Sequence, residues 1–86
     1  MSQIEQIVNE LLVIDSDLST YAVKLERERG ELTNTINKAQ SAFGRQQDGS
    51  LLVTTLYKTL HSIVNADSAL YLARQEIKKY VQNLQN

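Results

Sequence analysis

The sequence predicts an all-α fold: an antiparallel hairpin of two long helices. Three observations indicate it. Apolar residues recur at alternating spacings of three and four, the chain contains no proline, and two of its three glycines flank one short polar stretch. A heptad period of this kind is typical of long packed helices and not of strands. We therefore expect one helical-hairpin domain over residues 1–86.

The first helix is predicted over about residues 2–43. Ser2 followed by Glu5 has the form of a capping box, in which a hydroxyl and a carboxylate satisfy backbone amides of the first turn. Residues 15–20 and Gly30 are poor helix formers, so a helix broken near 16 and 30 stays open as an alternative. The expected seam of this helix consists of Ile4, Ile7, Leu11, Ile14, Leu18, Tyr21, Leu25, Glu28, Leu32, Thr35, Ala39 and Ala42.

The hinge is predicted over residues 44–50 and contains Gly44, Asp48, Gly49 and Ser50. Gly44 stands where a helix C-terminus favours a positive φ, and Asp48 or Ser50 offers a side-chain oxygen that could cap the next helix. Folding back at this hinge pairs positions whose numbers sum to about 94, a register in which large residues of one helix meet small ones of the other.

The second helix is predicted over about residues 51–84 and carries two apolar stripes. The stripe expected to face the first helix contains Leu52, Leu56, Thr59, Ile63, Ala66, Leu70, Ala73, Ile77, Tyr80 and Leu84. Beside it runs a second stripe, Val53, Tyr57, Leu60, Val64 and Tyr71. A helix with two apolar stripes needs two neighbours, and a hairpin offers only one.

Two further features indicate that the hairpin needs a partner. The chain has no cysteine and a single histidine, so a disulfide is excluded and a metal staple nearly so. The first helix is the longer one, and in the predicted register its N-terminal residues overhang the second. We therefore expect a homodimer, or association with a helical domain of another protein, to complete a four-helix bundle. The predicted partner interface consists of Ile4, Ile7, Val8, Leu12, Val53, Tyr57, Leu60, Val64 and Tyr71.

An alternative interpretation of the second stripe is a wide core face that long side chains partly cover, since scattered exposed apolar groups are normal.

No catalytic, cofactor-binding or metal site is expected. Residues 44–50 spell G-x-x-x-x-G-S, but this stretch lacks the lysine of a phosphate-binding loop and follows a helix instead of a strand. His61 has no cysteine to share a metal with. Arg74, Lys78 and Lys79 complement the dipole at a helix C-terminus, and the net charge is -1, so nucleic acid is not an expected partner.

The N-terminus has no basic region before an apolar stretch, so a cleavable signal peptide is not expected. The longest purely apolar run, Leu11 to Ile14, is far short of the roughly 20 residues that span a bilayer. We expect a cytoplasmic protein without membrane insertion. Export by a route that reads no cleaved signal stays open.

The hairpin layout resembles the WXG-type, or ESAT-like, helical-hairpin proteins of type VII secretion. Their hinge motif Trp-x-Gly falls on Gln47-Asp48-Gly49, where the glycine matches and the tryptophan does not. Their export signal Tyr-x-x-x-Asp/Glu is also missing, because Gln75 follows Tyr71 and Leu84 follows Tyr80 at that spacing. The resemblance implies a divergent member, similar to the small helical partners of larger secreted toxins.

A second class of function is compatible with the same layout. Chaperones and structural subunits of other secretion systems or of phages are also short helical hairpins. The functional expectation is in either case a non-enzymatic protein that pairs with other helices.

Overall fold

The structure is a computed structural model that describes residues 2–86. It contains two α-helices, α1 over Gln3–Phe43 and α2 over Gln47–Gln85, which pack against each other antiparallel. The predicted all-α hairpin is confirmed. The alternative with breaks near 16 and 30 is wrong, because α1 is one helix of 41 residues.

Two polar side chains bond to the backbone in the N-terminal half of α1. Ser2 caps the N-terminus, its Oγ accepting a hydrogen bond from the Glu5 N–H at 3.1 Å, which is the hydroxyl half of the predicted capping box. The Thr20 hydroxyl donates to the Ser16 carbonyl oxygen one turn earlier, at 3.2 Å. This return bond satisfies a side chain that could otherwise compete for other backbone groups.

The hinge is shorter than predicted, since α2 begins at Gln47 and not near residue 51. Gly44 ends α1 with φ -63°, and no described residue has a positive φ. The Gly44 N–H continues the helical pattern to the Gln40 carbonyl oxygen at 3.0 Å, and the Gln46 N–H bonds to Phe43 at 3.0 Å. The chain therefore reverses with ordinary backbone angles. The prediction of a positive φ at Gly44 is wrong.

The capping residues expected for α2 are also different. Asp48, Gly49 and Ser50 lie inside its first turn, and the N-cap is Gln46, whose side chain makes no capping bond. The Ser50 N–H donates to the Gln46 carbonyl oxygen at 2.8 Å, which is the first helical bond of α2. Asp48 instead supplies the acidic side chain that complements the positive N-terminus of the helix.

The register differs from the predicted one by about one helical turn. Asp15 pairs with Arg74, and Phe43 lies against Gly49, so the numbers of facing residues sum to 89 and 92 instead of 94. The shorter hinge explains the shift, because the chain reverses around residue 45.

The seam that results uses a different heptad from the expected one. Leu11, Leu18 and Leu25 of α1, with Leu56, Ile63 and Leu70 of α2, lie in the seam as predicted. The other seam position of each heptad lies one residue later in the sequence than predicted, in both helices. The buried and half-buried residues at this period are Val8, Leu11, Asp15, Leu18, Ala22, Leu25, Leu32, Ile36 and Ala39 in α1, and Gly49, Val53, Leu56, Leu60, Ile63, Asp67, Leu70, Arg74, Ile77, Val81 and Leu84 in α2.

The hairpin is long and has little core. Its Cα atoms extend 64 × 16 × 13 Å, and their radius of gyration is 19.3 Å, against about 12 Å for a compact domain of this length. Three apolar side chains among the described residues are buried, Val8, Ile36 and Val53, and Ile36 is only 1% exposed. In the described part of the chain, neither helix has a stretch apolar enough to cross a membrane.

Candidate partner-binding surface

Two flanks run along the hairpin on either side of the seam. In an antiparallel pair, equivalent heptad positions of the two helices lie on the same flank. The surface grooves agree, because Leu11 shares one with Tyr80 and Leu12 shares another with Lys78. The Tyr21 flank comprises Ile7, Ile14, Tyr21, Glu28, Thr35 and Ala42 of α1 with Leu52, Thr59, Ala66, Ala73 and Tyr80 of α2. The Tyr71 flank comprises Glu5, Leu12, Ser19, Glu26, Thr33 and Gln40 of α1 with Ser50, Tyr57, Val64, Tyr71, Lys78 and Gln85 of α2.

The Tyr21 flank is the more apolar of the two. Its large side chains are about half exposed, Ile14 at 47% and Tyr21 at 51%. Glu28 is its single charged residue. On the Tyr71 flank, Glu5, Glu26 and Lys78 interrupt the apolar side chains. The larger apolar surface lies on the Tyr21 flank, whose polar members are Glu28, Thr35 and Thr59.

The structure redistributes the residues of the predicted partner interface. Val8 and Val53 are buried between the two helices, so in the isolated hairpin they belong to the seam and not to an exposed surface. Ile7, Leu60 and Val64 are half-buried. The exposed members are Ile4, Leu12, Tyr57 and Tyr71.

The expected overhang of α1 is absent for a simple reason. In the observed register Gln85 lies beside Ile4 and Val8, so α2 reaches the N-terminal end of α1. The prediction that the first turns of α1 project past α2 is therefore wrong, whereas partner binding at this end of the hairpin stays a prediction. Ile4 is nevertheless half-exposed and adjoins the Tyr21 flank at this end.

The sequence predicts several residues of the Tyr21 flank in the seam, among them Ile14, Tyr21 and Tyr80, whereas the structure exposes them. Two overlapping heptads share the same leucines in α1, and apolar content alone favours the wrong one. The opposite charges of Asp15 and Arg74 could have distinguished the two heptads, because oppositely charged residues that face each other indicate which heptad forms the seam.

The Asp15–Arg74 ion pair joins the two helices within the seam. Arg74 Nε lies 2.9 Å from Asp15 Oδ1, and its Nη2 lies 3.3 Å from Oδ2, so the guanidinium contacts both carboxylate oxygens. The Arg74 hydrogen bond holds the pKa of the Asp15 carboxyl below its ordinary value of 3.8. Partial burial opposes this shift, and the charges of Arg74 and Lys78 add to it. A bidentate pair at one level of the seam fixes the register of the hairpin.

Acid should weaken the hairpin through this pair. Because the pKa of Asp15 is lowered by folding, its contribution to stability is complete above pH 3.8 and is lost as the pH falls through the lowered value. We expect Asp15→Asn to lower the melting temperature at neutral pH and to flatten its decline below about pH 4. The control is Asp17→Asn, which changes a nearby exposed aspartate. In thermal melts across this pH range, its melting temperature should fall with acid as that of the unmodified chain does. An equal decline in Asp15→Asn and the unmodified chain would contradict the role of the pair.

Gly49 lies directly against the C-terminal end of α1. A Cβ atom added there would collide with the carbonyl oxygen and the Cβ of Phe43, the last residue of α1. Gly49 is buried, and its missing side chain lets α2 start directly against the end of α1. This is the glycine that matches the Trp-x-Gly motif.

The described surface carries no cluster of metal-binding side chains. Across residues 2–86, no three His, Asp or Glu side chains lie together in a way that could hold a metal ion. His61 is exposed on α2.

Comparison with models of protein families, with curated proteins and with solved structures finds no match to this chain. The structure shows the hairpin layout on which the resemblance to WXG-type proteins rests. Membership of that family is not shown.

Proposed function

We propose that this chain is a non-catalytic partner protein that pairs with another helical chain to complete a four-helix bundle. One observation carries the proposal: the accessible surface is 6631 Å², whereas a compact monomer of 9.7 kDa exposes about 5,100 Å². The excess includes the half-exposed apolar side chains of the Tyr21 flank. A bound helical pair would cover them, as one half of a bundle covers the other.

We further propose that the pairing serves type VII secretion, with this chain acting as a substrate of that system or as the targeting partner of a larger effector. The support is the hairpin layout and the position of Gly49. The glycine that matches the family's hinge motif lies where α2 has no room for a side chain against Phe43.

Deletion of the gene in the source organism tests this function. We expect one large protein to disappear from the culture supernatant and to reappear on complementation. Cells that lack the type VII machinery should show the same loss, which serves as the matched control. An unchanged set of exported proteins in both strains would contradict the proposal.

A further inference from the structure

We propose that the Tyr21 flank binds the Tyr21 flank of a second copy of this chain, with the two hinges at the same end. This inference rests on the proposed pairing function, and it names both the surface and its occupant. The resulting homodimer is a four-helix bundle about a two-fold axis that runs along the hairpins.

The flank is large enough for a stable dimer. The hairpin extends 64 by 16 Å along its two longest axes, a projected area of about 1,000 Å², and a standard interface needs about 800 Å² from each partner. Burying it would also remove much of the excess surface of the isolated hairpin.

The two helices of this flank complement each other in size. Given the register set by Asp15 and Arg74, Tyr21 lies level with the interval between Ala66 and Ala73. A two-fold axis along the hairpin places α1 of one copy against α2 of the other at the same level. Tyr21 of each copy then enters the space above the two alanines of the other, and large residues meet small ones as in a well-packed bundle.

The reversed arrangement, with hinges at opposite ends, fits poorly. It places α1 against α1, and Tyr21 lies near the middle of that helix, so the two Tyr21 side chains would compete for one space. Glu28 would face the stretch between Ile14 and Tyr21 of the other copy, which buries a carboxylate against apolar groups. In the parallel arrangement Glu28 faces Thr59 and Ala66 instead, so the self-complementary order of this flank favours a second copy in parallel.

Sedimentation equilibrium of the full chain tests the surface with two matched variants. Tyr21→Asp and Tyr71→Asp each place a charge at a half-exposed tyrosine on a helix, one on each flank. We expect Tyr21→Asp to raise the dimer dissociation constant by about 30-fold or more, as loss of a central aromatic contact does, and Tyr71→Asp to leave it nearly unchanged. A monomeric parent chain, or an equal effect of the two variants, would overturn the inference.

A size exchange keeps the test valid if the aspartate variants unfold. Tyr21→Ala and Ala66→Tyr should each weaken the dimer, and the double variant should restore most of the affinity, because the bulk is moved across the contact. Strictly additive losses in the double variant would contradict the predicted contact.

The orientation can be measured because the chain has no cysteine of its own. A spin label on Arg45→Cys, at the exposed hinge, should give an inter-label distance far shorter than the 64 Å length of the hairpin. A distance near that length shows opposed hinges and overturns the parallel arrangement.

The two proposals fail separately. A chain that is monomeric, yet whose deletion blocks export of a larger protein, would overturn the homodimer and support the proposed function. A parallel dimer combined with unchanged export would support the homodimer and overturn the proposed role in secretion.

Discussion

The variant Ile36→Ala is expected to lose most of the stability of the isolated hairpin. Ile36 is the largest fully buried side chain among the described residues, and the seam around it has few other buried groups. Truncating a buried isoleucine to alanine costs about 2–5 kcal/mol. The whole chain has only about 4–13 kcal/mol at ordinary stabilities per residue, and its thin core places it at the lower end of that range.

Leu72→Ala is the matched control, since Leu72 is 63% exposed and lies away from the seam. Its free energy of unfolding in urea should stay within about 0.5 kcal/mol of the parent chain, as surface changes usually do. Equal losses in the two variants would show that Ile36 does not hold the helices together.

Gly49→Ala should destabilise the hairpin although alanine is a better helix former than glycine. The added Cβ would overlap the Phe43 carbonyl oxygen, and a backbone atom cannot rotate away as a flexible side chain can. The end of α1 and the start of α2 must therefore separate, and we expect a cost of about 1–3 kcal/mol, as for other overpacked sites.

Gly30→Ala makes the same change where space is open, since nothing lies within 4 Å of a Cβ added at Gly30. Gly30 lies in the exposed interior of α1, so alanine should stabilise the fold by about 0.5–1 kcal/mol. Urea titrations of the two variants should therefore shift in opposite directions. A stabilising Gly49→Ala would contradict the close approach at the hinge.

The helices themselves could be predicted from the sequence because their heptad period, their capping residue and the absence of proline agree. Ser2 and the end of α1 at Phe43 lie where these signals place them. The continuity of α1 through Gly30 could not be predicted with the same ease. A single glycine weakens a helix by only about 1 kcal/mol, and packing against α2 along the seam outweighs it.

The surface was harder to predict because it depends on the register. The hinge is a few residues shorter than predicted, and each helix packs through a different heptad. Val53 therefore lies in the core and not on the predicted interface. Tyr21 moves the opposite way, from the expected seam to the exposed flank. Apolar content cannot distinguish two overlapping stripes, whereas the charges at Asp15 and Arg74 do so once they are seen to face each other.

The central claim is that this hairpin is completed by another helical chain. Its most direct test combines sedimentation equilibrium of the purified chain with thermal melts at several protein concentrations. The account predicts a dimer mass, with a melting temperature that rises with concentration because association stabilises the fold by mass action. A strict monomer with a high melting temperature that does not depend on concentration would contradict it.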